Sequence, residues 1–136
     1  MANSIDRARL AEGIVGIHVA KAAATVPQST TQNIFTITGG RILVMALIGE
    51  VTVAIGAGTT PDLKVTSAPT TGTATDVATD VVVASDEIGT LYAVEGDGTA
   101  LVAVSSGYAP GVLGEGFVIP VGTLRIATTE STVGST

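Results

Sequence analysis

The chain has no cysteine, no tryptophan and one histidine, and its aromatic residues are Phe35, Tyr92, Tyr108 and Phe117 alone. Without thiols there is no disulfide framework and no thiolate metal site. The 136 residues must therefore hold together by packing, which a chain of this length does as one domain. A lone His18 rules out a multi-histidine zinc centre. The shortage of aromatics removes the girdles of a transmembrane β-barrel and most of the platforms on which a sugar ring stacks.

Charge is also scarce. Only 13% of residues are charged, against about a quarter in ordinary soluble domains, while 46% are hydrophobic. Such a chain either sits in a membrane or hides much of its outside against protein. A spanning helix needs about 18 consecutive apolar residues, yet Arg41 and Glu50 bracket the most apolar run, residues 42–49. A secretory leader is likewise disfavoured, because Glu12, His18 and Lys21 interrupt the apolar stretch that follows Arg7 and Arg9.

The net charge is −6. Residues 1–21 carry Arg7, Arg9 and Lys21 against Asp6 and Glu12, or +1, which leaves −7 on the remainder. An acidic body repels nucleic acid, whose recognition needs clustered Lys and Arg. The first segment is electrically distinct from that body.

Residues 4–12 read as a short helix, with Ser4 as its N-cap and a partial stripe of Ile5, Ala8 and Leu10. Residues 14–19 are β-branched and read as extended, and residues 26–32 are polar around Pro27. Residues 1–32 thus form an N-terminal arm, and residues 33–136 a β-domain. Strands are expected at 33–38, 41–48, 50–55, 63–66, 76–83, 91–95, 99–104, 116–121 and 123–128, separated by Gly, Pro, Asn and Asp signals. Gly96-Asp97-Gly98 is a hairpin turn. Strand 76–83 alternates, with Val77, Thr79, Val81 and Val83 on one face. The expected fold is all-β, an antiparallel β-sandwich or jelly-roll-like barrel with an extended arm.

The run 41–48 carries the most weight. As one strand it sends Ile42, Val44, Ala46 and Ile48 one way and Leu43, Met45 and Leu47 the other. Both faces are apolar, whereas a sandwich buries one face of each sheet and wets the other. Something must cover the second face: the arm, a neighbouring subunit, or the chain's own loops. The candidate interface is accordingly Ile14, Val15, Ile17 and Val19 of the arm with Leu43, Met45 and Leu47.

Chemistry-bearing patterns are missing. Ser105-Ser106-Gly107 is preceded by Ala103 where a nucleophile elbow has glycine, and Gly56-Ala57-Gly58 lacks the third glycine of a dinucleotide loop. His18 has no nucleophile beside it and reads as a solvated or interface histidine. Glu50, Asp76, Asp80, Asp86, Glu87, Glu95, Asp97 and Glu115 are the carboxylates open to acid–base work, but Asp86, Glu87 and Asp97 sit in turn-like contexts. No EF-hand spacing supports calcium. The expectation is no catalytic residue, no cofactor and no metal. Glu50 follows the apolar run directly, so it reads either as a buried ion pair with Arg41 or Arg125 that fixes a subunit register, or as a solvent-facing residue at a strand kink.

The stretch Phe35-Thr36-Ile37-Thr38-Gly39-Gly40-Arg41-Ile42-Leu43-Val44, running on to Leu47-Ile48-Gly49-Glu50-Val51-Thr52, resembles small virion proteins of tailed bacteriophages. So do Pro69-Thr70-Thr71-Gly72, Gly89-Thr90-Leu91-Tyr92 and Gly122-Thr123-Leu124. In combination, over residues 33–128, they resemble the β-sandwich capsid decoration or minor capsid proteins of phages infecting actinobacteria. The resemblance implies a homotrimer on the phage head exterior, made in the host cytoplasm and gripping the major capsid protein. It implies no nucleic-acid or membrane partner, and an arm that tethers along the capsid. The chain departs from this family where a further aromatic-containing strand would follow, since residues 132–136 (TVGST) hold no aromatic. The alternative is a carbohydrate- or receptor-binding module of a fibre or adhesin, with Tyr92 or Tyr108 against the ligand.

Overall fold

The computed structural model describes residues 16–27, 29–56, 62–94, 102–104 and 116–128. Among these there is no helix, and the strands pair antiparallel throughout. The all-β expectation is met. The strands are β1 (Thr31–Ile37), β2 (Ile42–Val44), β3 (Leu47–Glu50), β4 (Asp62–Pro69), β5 (Thr75–Val82), β6 (Leu91–Val94), β7 (Val102–Val104), β8 (Phe117–Ile119) and β9 (Gly122–Thr128). They form a four-stranded sheet in the order β1-β9-β4-β5, a two-stranded ribbon β2-β8, and a three-stranded sheet β3-β6-β7.

The central strand of the large sheet follows simple alternation. Leu63, Val65 and Ser67 of β4 are buried, while Lys64 and Thr66 on the other face are half-exposed. Opposed residues share a face, so Leu124, Ile126 and Thr128 of β9, which pair with Ser67, Val65 and Leu63, face the same core. One apolar cluster joins all three sheets: Ile37, Leu63, Val65, Ala78 and Leu124 from the large sheet, Ile119 from the ribbon, and Tyr92 and Val94 from the third.

Strand β5 departs from the expected alternation. Ala78 is the buried residue, with Val77 and Val81 half-buried and Thr79 exposed. Its pairing with β4 shifts register twice, between Leu63 and Val65 and between Val65 and Thr66. Each shift is a bulge that inserts one residue into β5 and flips the side chains beyond it. Val81 and Ala78 are therefore both brought to the core face, opposite Leu63 and Val65.

The largest correction concerns 41–48. It is two strands in different sheets, β2 and β3, with a break at Met45 and Ala46. The expected strand at 50–55 is absent beyond Glu50, yet Val51 and Ile55 are core residues. Backbone bonds hold that segment to the turn before β6: Val51 N to Thr90 O, Gly89 N to Val51 O and Ile55 N to Asp86 O, each 2.9 Å. Residues 91–94 and 102–104 make the expected hairpin, whose turn lies outside the described residues.

The arm ends on the large sheet. Val26 packs against the core, the Thr128 hydroxyl donates to the Pro27 carbonyl, and the Thr128 amide donates to Thr30 O at 3.3 Å. Residues 16–25 are exposed and belong to no strand or helix. The expected helix at 4–12 lies outside the described residues.

Candidate interface

The ribbon β2-β8 builds the most unusual surface. Ile119 is fully buried, and Val44 and Phe117 pack partly against the core, which anchors the ribbon to the body. Its other residues face out. Leu43 pairs directly with Val118, and the two are 58% and 61% exposed. Met45, at the break, is 54% exposed. Gly116 ties these together, because a Cβ there would sit 3.3 Å from Leu43 Cδ1 and 3.4 Å from Met45 Sδ. Met45, Leu43 and Val118 are thus one continuous apolar patch, the kind of surface that marks an interaction site in a way that scattered single residues do not. Ile42 and Ile48 nearby in sequence are exposed as well.

Beside the patch runs a groove between β8 and the outer strand of the large sheet. It is lined by Phe117, Val118 and Pro120 in and just after β8, Ser67 and Pro69 of β4, and Thr75, Asp76 and Val77 of β5. Asp76 accepts from the Thr66 hydroxyl at 2.9 Å and from Lys64 Nζ at 3.3 Å. This partly exposed ion pair contributes a few tenths of a kcal/mol up to about 1 kcal/mol.

Leu43 and Met45 lie exposed as an interface requires, and Leu47 is half-buried against the body's own core. Ile17 and Val19 are exposed on the arm, and Ile14 and Val15 lie outside the described residues. A buried Arg41–Glu50 ion pair does not form. Arg41 precedes β2 and Glu50 ends β3, both residues are exposed, and among the described residues no ion pair joins Glu50 to Arg41 or Arg125. In the single chain Glu50 is exposed at the end of β3. His18 is exposed. Among the described residues, no three acidic or histidine side chains cluster as a metal site requires. No described helix is long and apolar enough to cross a membrane.

Residue-type reading overlooked Val118, although Phe117-Val118-Ile119 is apolar on both faces by the same criterion that drew attention to 41–48. It set Tyr92 against a ligand, whereas Tyr92 is buried and donates its hydroxyl to Asp86. Ser85, just before Asp86, is left-handed (φ 65°). Burial pushes the Tyr92 hydroxyl well above its ordinary value, and the Asp86 hydrogen bond and negative charge push it further. Here the unfolded state ionises first, near pH 10, while the folded state keeps its proton. The contribution is thus intact below about pH 10 and is lost as pH rises above it, with a slope of at most about 1.4 kcal/mol per pH unit for one group. Urea midpoints between pH 9 and 11.5 are expected to fall in the parent and to fall less in Y92F. At neutral pH, Y92F is expected to cost about 1–2 kcal/mol, because Asp86 loses its donor.

No protein-family model, curated protein or solved structure matches the chain.

Proposed function

We propose that the chain is a virion structural protein, a decoration or minor capsid subunit that self-associates as a homotrimer and binds a major capsid protein. The observation that carries this reading is the uncovered patch of Leu43, Met45 and Val118 on a body whose other apolar residues include a well-buried core. A protein with 13% charged residues and this exposure gains stability from contact with other chains more readily than from solvent. The sequence resemblance over residues 33–128 points the same way, as does an arm of opposite net charge to the body. For the sugar-binding alternative, buried Tyr92 offers no face for a ring to stack on, and Tyr108 lies outside the described residues.

Co-sedimentation with purified heads of tailed phages of actinobacteria tests the capsid role. The full chain is expected to pellet with heads, and a variant lacking residues 1–25, which leaves Val26 and β1 in place, is expected to bind at least about tenfold more weakly, having lost the second of two linked contacts. A full chain that stays in the supernatant would overturn the capsid reading. Undiminished binding by the truncated chain would overturn the tether.

A further inference from the structure

We infer that Met45 is an oxidation site, at which peroxide-class oxidants convert the thioether to the sulfoxide and switch off the apolar patch. The inference rests on the self-association proposed above and names a chemical signal that regulates it.

Thiols and thioethers are the groups that such oxidants attack first. The chain has no cysteine and no tryptophan, its second methionine is Met1, outside the described residues, and Tyr92 is buried. Among the described residues, reactivity therefore falls on Met45. That residue is more than half exposed and belongs to no strand, standing at the break between β2 and β3. Its Sδ lies beside Gly116, 3.4 Å from where a Cβ would sit, so residue 116 has no side chain to cover the sulfur. Leu43 lies against the same glycine and pairs with Val118, which makes the thioether a member of the patch.

The oxidant alone balances the reaction. The Sδ lone pair attacks one oxygen of hydrogen peroxide, the O–O bond breaks as an S–O bond forms, and the other oxygen leaves as water with both peroxide protons. Sulfur gives up two electrons and peroxide takes them. The product is polar and chiral where the thioether was apolar, a change that disrupts methionine-containing interfaces and that methionine sulfoxide reductases reverse. Burying the S–O group between subunits without a hydrogen-bond donor opposes association. In the free chain the same group stands in water, so the fold is untouched. Oxidation thus acts on the unassembled chain, and assembly shields Met45 in return.

The full chain is treated with dilute hydrogen peroxide, and oxygen uptake is read by mass in the tryptic peptide 42–64, whose one methionine is Met45. In dilute solution Met45 is expected to react within about tenfold of the rate of free methionine, and a slower reaction would overturn the inference. Light scattering of the oxidised chain is expected to show association at least about tenfold weaker than before treatment, with an unchanged β-type circular dichroism spectrum. M45L keeps an apolar side chain without a sulfur, so its association is expected to survive the same treatment, which separates Met45 from Met1. An oxidised parent that associates like the untreated one, or M45L weakened as much as the parent, sinks the switch. A chain that is monomeric at high concentration before any treatment refutes the self-association instead, and the rate at Met45 still decides the oxidation site.

Discussion

The double variant L43D/M45D is expected to run as a 13.4 kDa monomer in light scattering at concentrations where the parent is oligomeric, with an unchanged β-type circular dichroism spectrum. Both side chains are more than half exposed in the isolated chain, so their replacement removes little from the core. In a subunit contact each would bury apolar area that stabilises by about 1.5–3 kcal/mol, and aspartate adds the cost of burying an unpaired charge. The loss exceeds roughly 3 kcal/mol, or more than a hundredfold in association. A parent that is already monomeric at high concentration, or a variant that associates like the parent, would remove the patch from the assembly. The core variant V65A is the useful contrast. Val65 is buried, so that change should lower the unfolding midpoint and leave the mass of the folded species alone.

A second large effect is expected from one methyl group. Gly122 opens β9 with φ 150°, and a Cβ there would lie 2.2 Å from Ala68 O, 2.7 Å from Pro69 Cα and 2.9 Å from Thr70 N. All three are backbone atoms, so no side chain can swing aside. Strand β4 must instead move away from β9 at the point where the core-facing Leu124 begins. G122A is expected to cost about 3–5 kcal/mol, from steric overlap and an unfavourable φ together, and to lower the urea midpoint by roughly 1–3 M. G39A separates the two causes. Gly39 has φ 78° but open space around its would-be Cβ, so only the conformational cost remains, about 1 kcal/mol. Equal losses in the two variants would show that the close approach at Gly122 does not matter.

Much of the architecture was legible from residue order. The strands at 31–37, 62–69, 75–82, 91–94 and 122–128 all fall where β-branched runs meet Gly, Pro or polar punctuation. The errors share one cause. A strand read in isolation keeps its alternation to the end, while a paired strand answers to its neighbour. At β5 the neighbour imposed two bulges and put Ala78 rather than Thr79 into the core. At 41–48 two different partners, β8 and β6, divided one apolar run between two sheets. The excess of apolar surface remained after that division, with its centre on Leu43, Met45 and Val118.

Composition and the order of residues alone determined an all-β chain without thiol or multi-histidine chemistry, too apolar for its charge, with an arm electrically unlike its body. These are properties of local preference and of sums over residues, and neither depends on who pairs with whom. Which apolar residues stay in water, and that Tyr92 is sealed against Asp86, were decided only in the folded chain. Burial and proximity there are set by contacts between segments far apart in sequence, and no local pattern encodes those contacts.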